Sequence, residues 1–267
     1  MTRKSILLFI LIFSLNNLFS QESTASKNVT SFTIEAPQLN CTKKIGLYLP
    51  IGYATSKKKY PVVYMHDAQN LFNAETAYAG EWNIDEKLDS LHAQVIVVAI
   101  EHGNEKRIAE LIPFKNEKYG GGNGDNYLEF IVKTLKPKID STYRTKSNSM
   151  NTVIMGSSLG GLISYYALLK YPDIFGKAGV FSPAFWINPE IFELTKITKT
   201  LNSKMYFLYG DKESTDMVPD VNKMEILVSG IRCSCRHLTR KKIVKGGQHN
   251  EKLWRDNFVT VFKWLNI

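Results

Sequence analysis

One stretch, residues 151–161, reads Asn-Thr-Val-Ile-Met-Gly-Ser-Ser-Leu-Gly-Gly and constrains the fold more than any other. Thr152 to Met155 is a short, β-branched apolar run, the composition of a strand buried on both faces. It runs into Gly156-Ser157-Ser158-Leu159-Gly160, a G-x-S-x-G pattern. Apolar residues at helical spacing follow (Leu162, Tyr165, Tyr166, Leu168, Leu169), and Tyr171-Pro172 ends them. Strand, G-x-S-x-G and helix in that order describe a turn so tight that its central residue is strained and its flanking side chains must be minimal. Gly156 and Gly160 supply the room, and Ser158 then projects its hydroxyl at the strand tip, above the helix N-terminus. Ser158 is the candidate nucleophile.

The rest of the chain alternates strand and helix. Val29–Ile34 and Lys43–Leu49 read as two antiparallel strands, and Tyr60–Met65 as the next strand. An amphipathic helix over 82–91 and a buried strand over Gln94–Ile100 follow. Glu101–Asp125 is a long Gly-rich insertion, expected to be a flexible connection or the rim of an active-site lid. Its Gly120-Gly121-Gly122-Asn123-Gly124 run lacks a preceding strand and a G-K-[ST], so it is not a phosphate loop. A helix over Asn126–Ile139 leads to the Ser158 turn. Beyond that turn come a strand at Ala178–Phe181, a loop and short helix at Ser182–Thr195, and a strand at Met205–Tyr209. A helix at Val218–Val228, a strand at Arg236–Val244 and a helix at Asn250–Leu265 complete the chain. This alternation calls for an α/β fold, a mainly parallel central sheet with helices on both faces.

Thr2-Arg3-Lys4 followed by the apolar run Ile6–Leu15 reads as a signal peptide over residues 1–20, with cleavage after Ser20. Residues 21–29 are polar and expected to be flexible, and 30–267 form a single catalytic domain. The expected address is therefore periplasmic or extracellular, without stable membrane insertion. A formal charge of +9 falls to +7 once Arg3 and Lys4 are removed. The remaining charge sits in surface-like runs such as Lys57-Lys58-Lys59 and Arg240-Lys241-Lys242, with no interleaved aromatics, which argues against nucleic-acid binding. Of the three cysteines, Cys233 and Cys235 are too close along a strand to pair comfortably. A bridge from Cys41 to one of them is the more sensible expectation in an oxidising compartment. No Cys/His spacing suggests a metal, and no cofactor is expected.

A serine hydroxyl needs a base, and the base an orienting acid. In this kind of fold they follow in the order Ser, acid, His. His237 lies within a strand pattern, whereas His249 lies in the turn Gly246-Gly247-Gln248-His249-Asn250 and is the candidate base. The acid should follow the strand Met205–Tyr209, which leaves Asp211, Glu213 and Asp216, with Glu213 favoured and Asp211 the closest to the strand tip. Oxyanion donors are expected from the backbone N–H of Leu159 and from Ala68 or Gln69, in the loop after the earlier strand.

Four segments, Tyr64–Phe72, Gly156–Gly161, Ser182–Trp186 and Gly247–Trp254, together resemble the Putative esterase (esterase D-like) family of α/β-hydrolases, over about residues 40–265. That family includes acetylxylan and feruloyl esterases, siderophore esterases, S-formylglutathione hydrolases and mycolyltransferases. The resemblance implies the α/β-hydrolase fold and maps the family's acid onto Glu213. It also implies substrate-pocket or rim positions for Asn70, Trp82, Arg107 and Trp186. The family usually has Gly where this chain has Ala68, a change that keeps the backbone donor. The expected activity is a secreted serine carboxylic-ester hydrolase working through an acyl-enzyme, with an acylated carbohydrate (acetyl or feruloyl ester) as leading substrate. A siderophore esterase, an acyltransferase on the same fold and a non-catalytic binding protein are the alternatives.

Overall fold

A computed structural model describes residues 23–231 and 238–267. The signal-peptide segment, His237, Cys233 and Cys235 lie outside the described residues. Eight strands form one sheet: β1 (Val29–Ala36), β2 (Cys41–Tyr48), β3 (Val62–His66), β4 (Ile96–Ile100), β5 (Thr152–Ser157), β6 (Lys177–Phe181), β7 (Lys204–Gly210) and β8 (Thr239–Val244). Their order is β1-β2-β4-β3-β5-β6-β7-β8. The β1–β2 and β2–β4 pairings are antiparallel, and every pairing from β4 to β8 is parallel.

The central strands are apolar over most of their length because both faces are covered. Val62 and Tyr64 of β3 with Ile154 of β5 enter one core, against α3 (Gly124–Glu129), α4 (Lys136–Thr142), α5 (Leu159–Lys170), α6 (Glu190–Ile197) and α7 (Met217–Ile231). Val63 and Met65 with Val153 and Met155 enter the other, against α1 (Ile84–Ser90) and α8 (Glu251–Leu265). Burying this much apolar surface, at roughly 25 cal/mol per Å², is the main force holding the layers together. Helix α5 is apolar nearly all round because Leu159 to Leu168 are all buried.

Three segments differ from the sequence reading. Residues 23–28 do not hang free: the Thr24 hydroxyl donates to Glu81, the Ser26 N–H to Asp85 and the Asn28 amide to Asp89. The expected helix over Asn126–Ile139 starts two residues earlier and runs to Thr142, with a wider π-wound section over Phe130–Leu135 between α3 and α4. The insertion over 101–125 is anchored. It carries α2 (Arg107–Leu111), whose Glu110 meets buried Lys43 at 2.6 Å and whose Arg107 meets Asp67 at 2.7 Å.

Candidate active site

Parallel pairing of β3 with β5 and of β5 with β6 brings three strand ends to one edge of the sheet. Ser158 stands at the tip of β5 with φ 58° and ψ −118°, a left-handed conformation that costs a non-glycine residue on the order of 1–3 kcal/mol. Backbone bonds hold it there: its N–H donates to Phe181 O at 3.0 Å, and its carbonyl accepts from Leu162 and Ala184. The two flanking glycines are required by a neighbour. A Cβ on Gly156 would lie 2.9 Å from the His66 ring, and one on Gly160 would lie 3.3 Å from His66 Cβ.

His66 is a packing element here. Its Nε2 is 3.1 Å from Ser164 Oγ, and that hydroxyl already donates to Gly160 O at 2.7 Å. Nε2–H must then be the donor, which leaves Nδ1 to accept from the Tyr127 hydroxyl at 2.7 Å. Burial pushes the imidazole pKa down to about 4, so the ring is neutral at ordinary pH.

In the turn after β7, the Glu213 side chain is 1% exposed and two hydrogen bonds fix it. Its Oε1 accepts from the Ser182 hydroxyl at 2.7 Å and from the Gly210 N–H. Its Oε2 lies 2.6 Å from His249 Nδ1. Asp211 instead accepts from the Gly246 N–H at 2.7 Å and so ties down the loop that carries His249, while Asp216 is exposed at the start of α7. His249 stands one residue before Asn250, whose side chain caps α8 by accepting from the Leu253 N–H. The His249 ring meets Trp254 edge to face at 5.1 Å, and the Trp254 indole N–H donates to Ser182 Oγ at 2.7 Å. Ser182 and Trp254 thus orient the acid and the histidine.

Ser158 and His249 open onto one cavity of about 610 Å³, whose wall includes Asp67, Gln69, Asn70, His102 and Arg107. Asp67 is in the left-handed region at φ 58°. Burial alone would raise its carboxyl pKa, but the Arg107 charge and two hydrogen bonds at 2.7 and 2.8 Å hold it below the usual carboxylate range. The same contact holds Arg107 in its charged form. Gln69 clamps the adjacent turn: its side-chain amide donates to His102 O and its carbonyl accepts from His102 N–H. With the side chain committed, the group that Gln69 presents near the Ser158 turn is its backbone.

Of the four positions that the resemblance pointed to, Asn70 and Arg107 line the cavity. Trp82 does not: it is 2% exposed and packs beneath the site against Phe181 and Trp254. Trp186 is not among the residues lining this cavity; it is 48% exposed and edge-on to Tyr119. Two wall residues missed in the sequence, His102 and Asn104, follow β4 directly, and a strand-end signal was present for both.

Comparison with known proteins agrees with this architecture. The family model described as "Putative esterase" matches residues 36–265. A protein of Bacillus subtilis, YbbA, is 26% identical over 237 residues, covering 84% of this chain and 92% of its own length. The endo-1,4-beta-xylanase/feruloyl esterase of Xylanibacter ruminicola is 24% identical over 199 residues, 71% of this chain but only 25% of that longer protein. Among solved structures, the BES protein of Bacillus cereus superposes with a TM-score of 0.73 at 17% identity, over 90% of this chain and 96% of that one. The enterobactin esterase FES of Shigella flexneri gives 0.72 at 16% identity, over 91% and 59%. The chain belongs to the Putative esterase family and is a carboxylic-ester hydrolase of the α/β-hydrolase fold.

Proposed function

From that family membership and the geometry at the strand ends, we propose an exported serine esterase in which Ser158 is the nucleophile, His249 the base and Glu213 the orienting acid. The observation that carries the reading is the chain of contacts from Ser182 through Glu213 to His249 Nδ1, in a cavity shared with the strained Ser158. Glu213 accepts from Nδ1–H, which leaves Nε2 unprotonated and able to take the Ser158 proton as Oγ attacks the ester carbonyl. The developing oxyanion is met by the Leu159 N–H and by the N–H of Ala68 or Gln69. Protonated His249 then gives its proton to the leaving alkoxide, and the alcohol departs. Water, deprotonated by His249, hydrolyses the acyl-enzyme and restores Ser158.

The leading substrate is an acylated carbohydrate carrying an acetyl or feruloyl ester. A polar wall of Asp67, Gln69, Asn70, His102 and Arg107 suits a hydroxyl-rich alcohol moiety, and the feruloyl esterase relatives favour the same class. The test is hydrolysis of p-nitrophenyl acetate, p-nitrophenyl butyrate and methyl ferulate by residues 21–267, beside Ser158→Ala. Turnover of acetate or ferulate that disappears in the variant is expected. Turnover of none of these esters, with rapid cleavage of a catecholate siderophore ester, would move the substrate to the second class. Transfer to an added sugar in place of release to water would make the enzyme an acyltransferase.

A further inference from the structure

Outside the catalytic cavity, one group of side chains is left electrically incomplete. Glu81, Asp85 and Glu86 converge where α1 begins, and one carboxylate oxygen from each lies within 4.8 Å of the others. In every one of the three, one oxygen is held by a donor and the other is buried with none, and the Asp85 and Glu86 carboxyls lie within hydrogen-bond reach of each other. Glu81 Oε2 accepts from the Thr24 hydroxyl at 2.9 Å and the Asn83 amide at 3.1 Å, and Oε1 has no partner. Asp85 Oδ2 accepts from the Ser26 N–H at 2.6 Å, and Oδ1 has no partner. Glu86 Oε1 receives a long contact from Asn83 at 3.5 Å, and Oε2 has no partner. Asp85 is fully buried and Glu81 is 5% exposed.

The nearby cations do not neutralise these oxygens. Lys87 Nζ donates to the Trp82 and Asn83 carbonyls, and Arg255 donates to the Glu81 carbonyl. Three buried acceptors without donors cost several kcal/mol unless something positive joins them.

We propose that Glu81, Asp85 and Glu86 form a binding site for a hard divalent cation, best suited to Ca²⁺, that staples the segment at 24–26 to α1. The donor set is oxygen only, which selects calcium or magnesium over softer metals. Three carboxylate oxygens, one from each residue and all within 4.8 Å of one another, are close enough to share one ion bound at about 2.4 Å. Half-buried Glu86 leaves an approach from solvent, and water completes the shell. With only three carboxylates and two positive neighbours, binding falls in the range of about 10⁻⁴–10⁻³ M, typical of extracellular calcium modules. The ion also bears on the cavity: the Trp82 N–H donates to Asn70 O, so the site braces the far end of the loop carrying Asn70, Thr76 and Tyr78.

The experiment is calorimetric titration of the chelator-treated, dialysed protein with calcium chloride, together with thermal unfolding. At 10 mM Ca²⁺ the melting temperature should rise by about 3–10 °C, and sodium chloride of equal ionic strength should not reproduce the rise. Asp85→Asn and the more exposed Glu86→Gln should each abolish both the heat and the rise. The second variant keeps the test open if the first fails to fold. No heat and no rise with Ca²⁺, combined with a higher melting temperature in Asp85→Asn whatever the calcium concentration, would overturn the site and assign the cluster to a shared proton.

Discussion

In the proposed triad Glu213 serves His249 only while it is held still, and the Ser182 hydroxyl that bonds it is itself fixed by the Trp254 indole. Removing the Ser182 hydroxyl leaves Glu213 Oε1 with the Gly210 N–H alone and the Trp254 indole without its acceptor. Ser182→Ala should therefore lower kcat by about 10- to 100-fold with KM little changed, whereas Glu213→Gln, which disturbs the imidazole tautomer itself, should cost about 10²–10⁴. Steady-state kinetics on p-nitrophenyl acetate decides it, and a Ser182→Ala enzyme with a normal kcat would remove Ser182 from the account. Ser158 and His249 could be named as candidates from sequence because one follows a strand and the other precedes a helix in a fixed order, and the same order narrowed the acid to Asp211, Glu213 and Asp216, with Glu213 favoured. Ser182 and Trp254 could not be paired that way, since their contact spans 72 residues and exists only after β6 and α8 have packed. Tryptophan position was equally hidden: composition does not say that Trp82 faces the core while Trp186 faces solvent.

The elements around the site are fastened by charges whose partners are far along the chain. The turn after β3 is joined to α2 through Asp67 and Arg107, 40 residues apart. Arg107→Met would leave a buried carboxylate unpaired and should destabilise the protein by about 3–5 kcal/mol, measurable by urea unfolding; a loss below about 1 kcal/mol would show that water replaces the arginine. That long-range pairing is also why residues 101–125, rich in glycine and read as a flexible connection or the rim of a lid, form an anchored segment whose His102, Asn104 and Arg107 line the cavity. A second fastening, among His66, Tyr127 and Ser164, depends on an uncharged imidazole. Burial lowers the His66 pKa from 6.5 to about 4. The folded state therefore keeps the full contribution above pH 6.5 and loses it as pH falls from 6.5 through 4, by about 3 kcal/mol in total. A histidine NMR titration should show His66 unprotonated at pH 5; a midpoint near 6.5 would refute this role.

At the level of the whole molecule, the sheet and its two helical layers were legible because strands buried on both faces read as nearly continuous apolar runs, as β3, β4 and the Val153–Met155 stretch of β5 do. What the layers accomplish is to bring residues from β3, β5, β6, β7 and the turn before α8 to one edge, where the strained Ser158 and the Glu213-bonded His249 line one cavity. The central claim is that Ser158 is a nucleophile activated by that arrangement. Reaction of residues 21–267 with a fluorophosphonate probe, followed by mass spectrometry of the labelled peptide, tests it directly. The account predicts stoichiometric labelling at Ser158, absent in Ser158→Ala and slowed at least about 10²-fold in His249→Ala. A folded protein that does not label, or that labels with equal speed at another serine, would contradict it.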